Sequence, residues 1–107
     1  MASDQKFVDF VLDQIEKAGT ITARNMFGEY VLYADGKLFA LIGDNRLFIK
    51  PTAAGRAFIG KVTEAPPYPG AKNCFLIEDK LEDRKWLSEL VRITAKELPK
   101  AKKEKGG

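Results

Sequence analysis

Few residues of this 107-residue sequence are of a type that could do chemistry, and histidine is absent. Without histidine, a Ser-His-Asp triad, a Cys-His pair and a His-ligated metal site are excluded. Cys74 is the single cysteine, and it lies in an apolar run with no histidine to activate its thiol. We therefore interpret Cys74 as a small buried hydrophobic residue rather than a nucleophile.

Two further segments have the composition of ion-binding sites. Gly55–Lys61 matches the first part of a phosphate-binding loop, but Val62 stands where a serine or threonine would hold magnesium. We interpret this segment as a short helix that ends at Gly60. Four carboxylates lie at the start of a long predicted helix and could attract a divalent cation or a basic partner, although the helix dipole alone favours them there: Glu78, Asp79, Glu82 and Asp83. The sequence therefore predicts no catalytic, cofactor-binding or metal-binding residue.

Two groups of residues remain as candidates for binding a partner. An aromatic and basic surface on the open face of the predicted sheet would consist of Arg24, Tyr30, Tyr33 and Phe48. Some sheets bind single-stranded nucleic acid with such a surface, and core or dimer contacts are the alternative role for these side chains. The second group is formed by the tail lysines Lys100, Lys102, Lys103 and Lys105. A nucleic acid or an acidic protein could contact them, although a solvated terminus needs no partner.

Charge and composition describe one globular domain with a basic tail. Four of the 18 basic and one of the 15 acidic side chains lie in residues 100–107, so residues 1–99 hold 14 of each. A neutral globular part favours weak or absent direct binding to DNA. The apolar fraction of 45% predicts a single folded domain over residues 1–98, and the lysine-rich segment 99–107 is expected to be disordered.

The sequence shows no secretory signal and no apolar run of the roughly 20 residues that cross a membrane. A lone cysteine fits a reducing compartment. We therefore expect a cytoplasmic protein without membrane contact.

Hydrophobic periodicity predicts helices at both ends of the chain. Apolar residues at spacings of three and four indicate an amphipathic helix from an N-cap at Ser3 to a stop at Gly19. A second helix would open with a capping box of Asp79 and Glu82 and close before Pro99. Its apolar stripe is expected to contain Leu87, Leu90, Val91, Thr94 and Leu98, widened by Trp86 and Ile93.

The sequence of the central part of the chain predicts mainly strands. Asp35-Gly36 and Asp44-Asn45 predict tight hairpin turns, and Thr52 is expected to cap the short helix. Pro66–Pro69 is interpreted as a rigid crossing loop, with a polyproline ligand as the alternative. Five strands are predicted, over residues 22–27, 29–34, 37–42, 46–50 and 74–77. The order α-β-β-β-β-α-β-α indicates an α+β fold with one antiparallel sheet and helices packed on one face.

Both faces of the predicted sheet are apolar. Strict alternation places Phe39 and Leu41 on one face, and Leu38, Ala40 and Ile42 on the other. A sheet with one solvated face would alternate apolar and polar residues instead. We therefore hypothesise that the second face is covered, most simply by another copy of the chain.

The segment Arg24–Gly36 reads RNMFGEYVLYADG, which resembles the R-x-M-F-G-x-Y-x-L-Y-x-D-G signature of the TfoX/Sxy N-terminal domain. Phe39-Ala40 and Leu47–Lys50 fall where the family has F-A and L-Y-x-K, and the resemblance covers about residues 5–98. Glu29 replaces a glycine common in the signature, and Gly43–Arg46 replaces a plainer turn.

The resemblance implies an α+β domain with no catalytic residues. Its best-known members regulate bacterial competence genes, are thought to act with a cyclic-AMP receptor protein at promoters, and carry a C-terminal domain that these residues do not include. We therefore expect a non-enzymatic, homodimeric interaction domain that acts in transcription regulation through a transcription-factor partner. The alternative is a module that binds a small ligand or single-stranded nucleic acid with the open sheet face.

Overall fold

The computed structural model describes residues 3–26 and 28–99. The described helices are α1 (Gln5–Ile15), a 3-10 helix (Glu16–Ala18), α2 (Ala53–Ile59) and α3 (Arg84–Glu97). The described strands are β1 (Ile21–Met26), β2 (Glu29–Ala34), β3 (Lys37–Gly43), β4 (Arg46–Ile49), β5 (Thr63–Ala65) and β6 (Cys74–Ile77). The predicted lysine-rich tail, with Lys100, Lys102, Lys103 and Lys105, lies outside the described residues.

The six strands form one antiparallel sheet in the order β1-β2-β3-β4-β6-β5. The turn between β2 and β3 has positive φ at Asp35 (52°) and Gly36 (82°). The turn between β3 and β4 has positive φ at Asp44 (53°) and Asn45 (58°). Positive φ at both central residues matches the right-handed twist of the flanking strands, so both predicted hairpins are confirmed.

The three helices pack on one face of the sheet, which confirms the predicted α+β architecture. The core between the two layers includes these fully buried side chains: Val8, Val11, Ile15, Leu32, Ile42, Leu47, Ile49, Phe75, Leu87, Leu90 and Val91. The predicted stripe of α3 is confirmed, since Thr94 is also buried and Leu98 packs against the core. None of the described helices is long and apolar enough to cross a membrane.

The short helix α2 forms where the phosphate-loop look-alike occurs. The Thr52 hydroxyl accepts a hydrogen bond from the Gly55 amide (2.9 Å), which caps the helix as predicted. Gly60 follows the helix with φ 83°, a backbone conformation that favours glycine. The helical interpretation of Gly55–Lys61 is therefore confirmed.

Both long helices begin later than the sequence predicts. The Asp4 carbonyl accepts the first hydrogen bonds of α1, from Phe7 and Val8, so Ser3 precedes the cap. In α3 the Asp83 carboxylate accepts a hydrogen bond from the Trp86 amide (3.1 Å), and the helix begins at Arg84. The capping box predicted from Asp79 and Glu82 is therefore wrong.

A β-bulge changes which side chains of β3 share a face. Leu32 pairs with Ala40 and Tyr33 with Leu38, which leaves Phe39 without a partner on β2. Phe39 is fully buried in the core beside Ala40 and Ile42. The strict alternation predicted for β3 is therefore wrong: Leu38 and Leu41 share the open face.

Candidate functional site

The sheet face opposite the helices carries a groove of about 1000 Å³, which we call the open-face groove. Its floor contains five apolar or aromatic side chains: Val31, Tyr33, Leu38, Leu41 and Phe48. Met26 of the edge strand β1 and the segment Pro66–Pro69 also line it. Neighbouring strands place these side chains on one face because successive residues of a strand point to opposite sides.

The segment Pro66–Pro69, which we call the proline strap, passes over the end of β3. A Cβ atom at Gly43 would lie 3.4 Å from the Pro67 carbonyl oxygen, so the strap lies within van der Waals reach of the end of β3. Phe48 lies on the open face and is nevertheless only 2% exposed. The predicted crossing loop is thus confirmed, and the chain itself covers part of the face for which we hypothesised a second copy.

Glu29, which lines the open-face groove, accepts hydrogen bonds from two distant segments. Its carboxylate accepts hydrogen bonds from the Ser3 amide (3.1 Å), the Ser3 hydroxyl (2.8 Å) and the Asp44 amide (3.0 Å). The Asn45 side-chain oxygen accepts a further hydrogen bond from the Asp4 amide (2.7 Å). Glu29 and the β3–β4 turn, two departures from the signature, therefore act together to fix the start of α1 on the sheet.

The sequence that forms this groove is similar to sequences of known proteins. The family described as "TfoX N-terminal domain" matches residues 13–98, which include the whole sheet and the proline strap. The chain belongs to the TfoX N-terminal domain family. A protein of Spirochaeta aurantia, described as "Uncharacterized 12.7 kDa protein in trpE 5'region", is 40% identical over 105 residues. That similarity spans 98% of this chain and 91% of the relative.

The four sequence-predicted surface residues of this TfoX N-terminal domain are not equivalent. Tyr33 and Phe48 both line the floor of the open-face groove. Arg24 is exposed on β1, where its cross-strand partner is Val31. The Tyr30 side chain packs against the core and its hydroxyl donates to Gln5 Oε1 (2.8 Å), so it reaches only the margin of the groove.

Several side chains that line the groove of this TfoX N-terminal domain were not predicted from the sequence. Among them are two exposed large hydrophobic side chains, Met26 at 48% and Tyr68 at 59%. The apolar character of both sheet faces pointed towards Leu38 and Leu41 but not to how the bulge groups them. The sequence gives only a weak indication that Tyr68 lines the groove: it is an aromatic residue among prolines, in a segment predicted to cross the molecule.

The Cys74 thiol is buried at the start of β6. Burial raises the pKa of this thiol, and the nearby positive charge of Lys50 offsets that effect only in part. A raised pKa keeps the sulfur protonated near neutral pH, whereas a nucleophile needs the thiolate. The geometry therefore supports the interpretation of Cys74 as a packing residue.

The acidic residues before α3 line a separate surface cavity of about 850 Å³, together with Phe7 and Phe10. Asp83 caps α3, and the Lys80 ammonium lies 5.6 Å from the centre of the Trp86 ring. Within residues 3–26 and 28–99, no three His, Cys, Asp or Glu side chains are grouped to hold a metal ion. The cavity provides a mixed-charge surface rather than a ligand set.

Proposed function

We propose that this TfoX N-terminal domain is a non-enzymatic interaction module of the cytoplasm that binds a partner protein in the open-face groove. The observation that carries the proposal is the composition of this groove, an apolar floor flanked by the exposed side chains of Met26 and Tyr68. Each Å² of apolar surface removed from water contributes roughly 25 cal/mol. Covering this groove with an apolar segment of another protein is therefore favourable.

The charges around the groove favour a protein over a nucleic acid. Among the described lining residues the basic side chain is Arg46, and Glu29 and Asp44 line the same groove. Single-strand binding grooves combine aromatic platforms with a positive path for the phosphates. A mixed and nearly neutral rim gives phosphates little attraction, so we expect direct DNA binding by residues 1–99 to be weak.

Family membership supports a role in regulation. TfoX N-terminal domains form a regulatory type of family that is not known for enzymatic activity. The resemblance to TfoX/Sxy regulators of competence genes favours a transcription factor as the partner. We propose that the domain acts on transcription through this partner rather than by reading DNA itself.

The experiment compares capture by three tagged chains from nuclease-treated lysate of the source bacterium. Met26→Glu combined with Tyr68→Glu places two charges at the groove without touching the core. The matched control is Phe10→Glu, which alters a 39% exposed hydrophobic residue of α1 on the other layer. We expect a transcription factor or polymerase subunit to be enriched by the unaltered chain and by the control, and lost from the double variant. Equal capture by all three chains would contradict the proposal.

A small ligand is the second candidate occupant of the open-face groove. Its volume of about 1000 Å³ is at the upper end for small-molecule sites, and Tyr33 and Tyr68 provide hydroxyl groups. A ligand at 100 times its Kd would stabilise the fold by about 2.7 kcal/mol. A screen of nucleotides and short oligonucleotides that leaves the melting temperature unchanged would remove this candidate.

A second copy of the chain is the third possible occupant, because a homodimer would cover the apolar face that the proline strap leaves open. Sedimentation equilibrium at high micromolar concentration distinguishes it. A second copy in the groove would give reversible dimers that Met26→Glu with Tyr68→Glu dissociates, and a strictly monomeric profile contradicts the dimer alone.

A further inference from the structure

The edge strand β1 carries backbone groups that the sheet does not use. It pairs with β2 over six consecutive residues, from Ile21 opposite Ala34 to Met26 opposite Glu29, without a bulge. Its sequence, ITARNM, contains no proline, and every residue from Thr22 to Met26 is exposed. A regular, exposed edge of this length is a template for another strand.

Hydrogen-bond parity identifies which groups of β1 are available. The Asp35 amide donates to the Thr20 carbonyl (2.9 Å), so this opposed pair is a hydrogen-bonded one. Hydrogen-bonded pairs alternate along an antiparallel ladder, and Thr22, Arg24 and Met26 therefore direct their backbone groups towards β2. The N–H and C=O groups of the alternate residues point away from the sheet: Ile21, Ala23 and Asn25.

The opposite edge of the sheet is protected. β5 has three residues, and Pro66 follows it directly. Short edge strands and proline both prevent pairing with other chains, because they offer few backbone donors. The two edges of the sheet therefore differ, and only β1 of the described strands offers a long unpaired edge.

A small cavity lies beside β1 on the helix side of the sheet. It measures about 280 Å³ and is lined by Leu12, Asp13, Glu16, Ile21 and Ala23. The Asp13 carboxylate pairs with Arg84 (2.8 Å), whereas Glu16 has no ionic partner among the described residues. The cavity thus combines an apolar floor with one carboxylate, Glu16, that has no ionic partner in the described part of the chain, which suits the long stem and charged end of a lysine or arginine.

We propose that β1 binds an extended segment of another protein as an additional strand, and that this segment carries a lysine or arginine facing α1. A residue hydrogen-bonded opposite Ala23 points its side chain to the same side as Ala23, above the acidic cavity. The next residue points to the open face, beside Arg24 and Met26. This surface is distinct from the floor of the open-face groove, so the inference goes beyond the proposed function.

The same geometry disfavours a second copy at this edge. Antiparallel pairing of two β1 strands about a two-fold axis at Ala23 would bring both acidic cavities to one side of the joined sheet. The unpaired Glu16 carboxylates of the two copies would then lie on the same side of the joined sheet, whereas Arg24 lies on the opposite face. Like charges in such positions destabilise an isologous interface, and a basic partner strand avoids this repulsion.

The test uses the full ¹⁵N-labelled chain and a blocked eight-residue peptide that alternates lysine and valine. Such a strand presents all lysines on one face in either direction. We expect millimolar peptide to shift the amide resonances of Ile21, Ala23 and Asn25 and to slow their hydrogen exchange. A peptide with glutamate in place of lysine should bind at least about tenfold more weakly, because the cavity rim is negative.

Two variants locate the binding. Ala23→Pro removes an outward N–H and leaves the β1–β2 hydrogen bonds in place, so we expect it to abolish peptide binding. Glu16→Gln leaves the backbone intact and should remove most of the preference for the lysine peptide over the glutamate peptide. This variant tests the proposal even if Ala23→Pro is unstable. Tyr68→Glu alters the groove alone, and it should leave peptide binding unchanged.

Three outcomes overturn the inference: no amide shift at β1, equal binding of the lysine and glutamate peptides, or hydrogen exchange of the outward amides of Ile21, Ala23 and Asn25 that slows with rising protein concentration in the absence of peptide. The last result assigns the edge to a second copy. If the peptide does not bind at β1, the groove proposal still stands, because the two proposals have different tests. The groove proposal predicts that Met26→Glu with Tyr68→Glu abolishes partner capture and that Ala23→Pro leaves capture unchanged.

Discussion

Thr94 of α3 has a buried hydroxyl without a hydrogen-bond partner within the described residues. An unpaired buried polar group costs free energy because it loses its hydrogen bond to water. We expect Thr94→Val, which replaces the hydroxyl by a methyl group, to raise the free energy of unfolding by about 1 kcal/mol. Urea denaturation measures this change.

The matched control for Thr94 is Ser88, also buried on α3. Its hydroxyl donates to the Gln14 carbonyl (3.1 Å) and joins α3 to α1. Ser88→Ala should therefore lower the free energy of unfolding by about 1 kcal/mol. A loss of stability from both substitutions would show that the Thr94 hydroxyl is satisfied in solution.

Cys74 links burial to pH. Because burial raises the pKa of its thiol, the folded state keeps the proton at a pH where the unfolded thiol, with a pKa of about 8.5, ionises. The contribution to stability is complete below that unfolded value and is lost as pH rises towards the folded pKa. We expect the urea midpoint to fall more steeply above about pH 8.5 in the unaltered chain than in Cys74→Ala. Parallel pH profiles for the two chains would contradict the raised pKa.

At the scale of the element, the start of α3 depends on one carboxylate. Asp83 accepts the hydrogen bond from the Trp86 amide, whereas Asp79 lies in the preceding loop. We expect Asp83→Ala to lower the free energy of unfolding by about 1 kcal/mol and Asp79→Ala to change it by less than about 0.5 kcal/mol. Equal losses, measured by thermal or urea denaturation, would restore the capping box that the sequence predicts.

The elements predicted correctly are those that local chemistry determines. β2 and β6 occupy the predicted residues, because their β-branched and aromatic runs are bounded by turn residues. The Thr52 cap and both hairpin turns follow from side chains or backbone conformations within four residues of one another. Local signals of this kind need no knowledge of the rest of the molecule.

The features that the sequence did not predict arise from packing. Phe39 departs from the alternation predicted for β3, because the bulge places its ring in the core, where it is fully buried. α3 begins at Arg84 and not at Asp79, because Lys80 between them has φ 56°, which is incompatible with a continuous helix. Neither residue carries a distinctive sequence signal.

The same division applies to the candidate site. Tyr33 and Phe48 were found because the aromatic pattern of the strands shows on the sequence, and both line the groove. The contribution of the proline strap was not predicted from the sequence, because the strap approaches Gly43, which lies more than 20 residues earlier in the chain. A groove built from a strand and a distant loop is visible only once the chain is folded.

At the scale of the whole molecule, the surfaces suited to other chains differ in character. The open-face groove is apolar with mixed charges at its rim, and the β1 edge offers backbone hydrogen bonds beside a negative cavity. Residues 1–99 are neutral overall, whereas the net charge of +3 resides in residues 100–107. We therefore expect the folded domain to recognise apolar surfaces and the basic tail to attract polyanions at long range.

This separation predicts how the protein responds to DNA. We propose that residues 1–98 are the binding domain and that any contact with duplex DNA is made by the tail lysines. Each phosphate neutralised contributes about −0.9 to the slope of log K against log salt concentration, so four lysines limit that slope to about −3.6. We expect weak binding by the full chain at low salt and none by a chain that ends at Pro99, measured by fluorescence anisotropy with a labelled duplex. A steeper slope, or equal affinity of the two chains, would place phosphate contacts on the folded domain and would favour direct DNA binding over action through a partner protein.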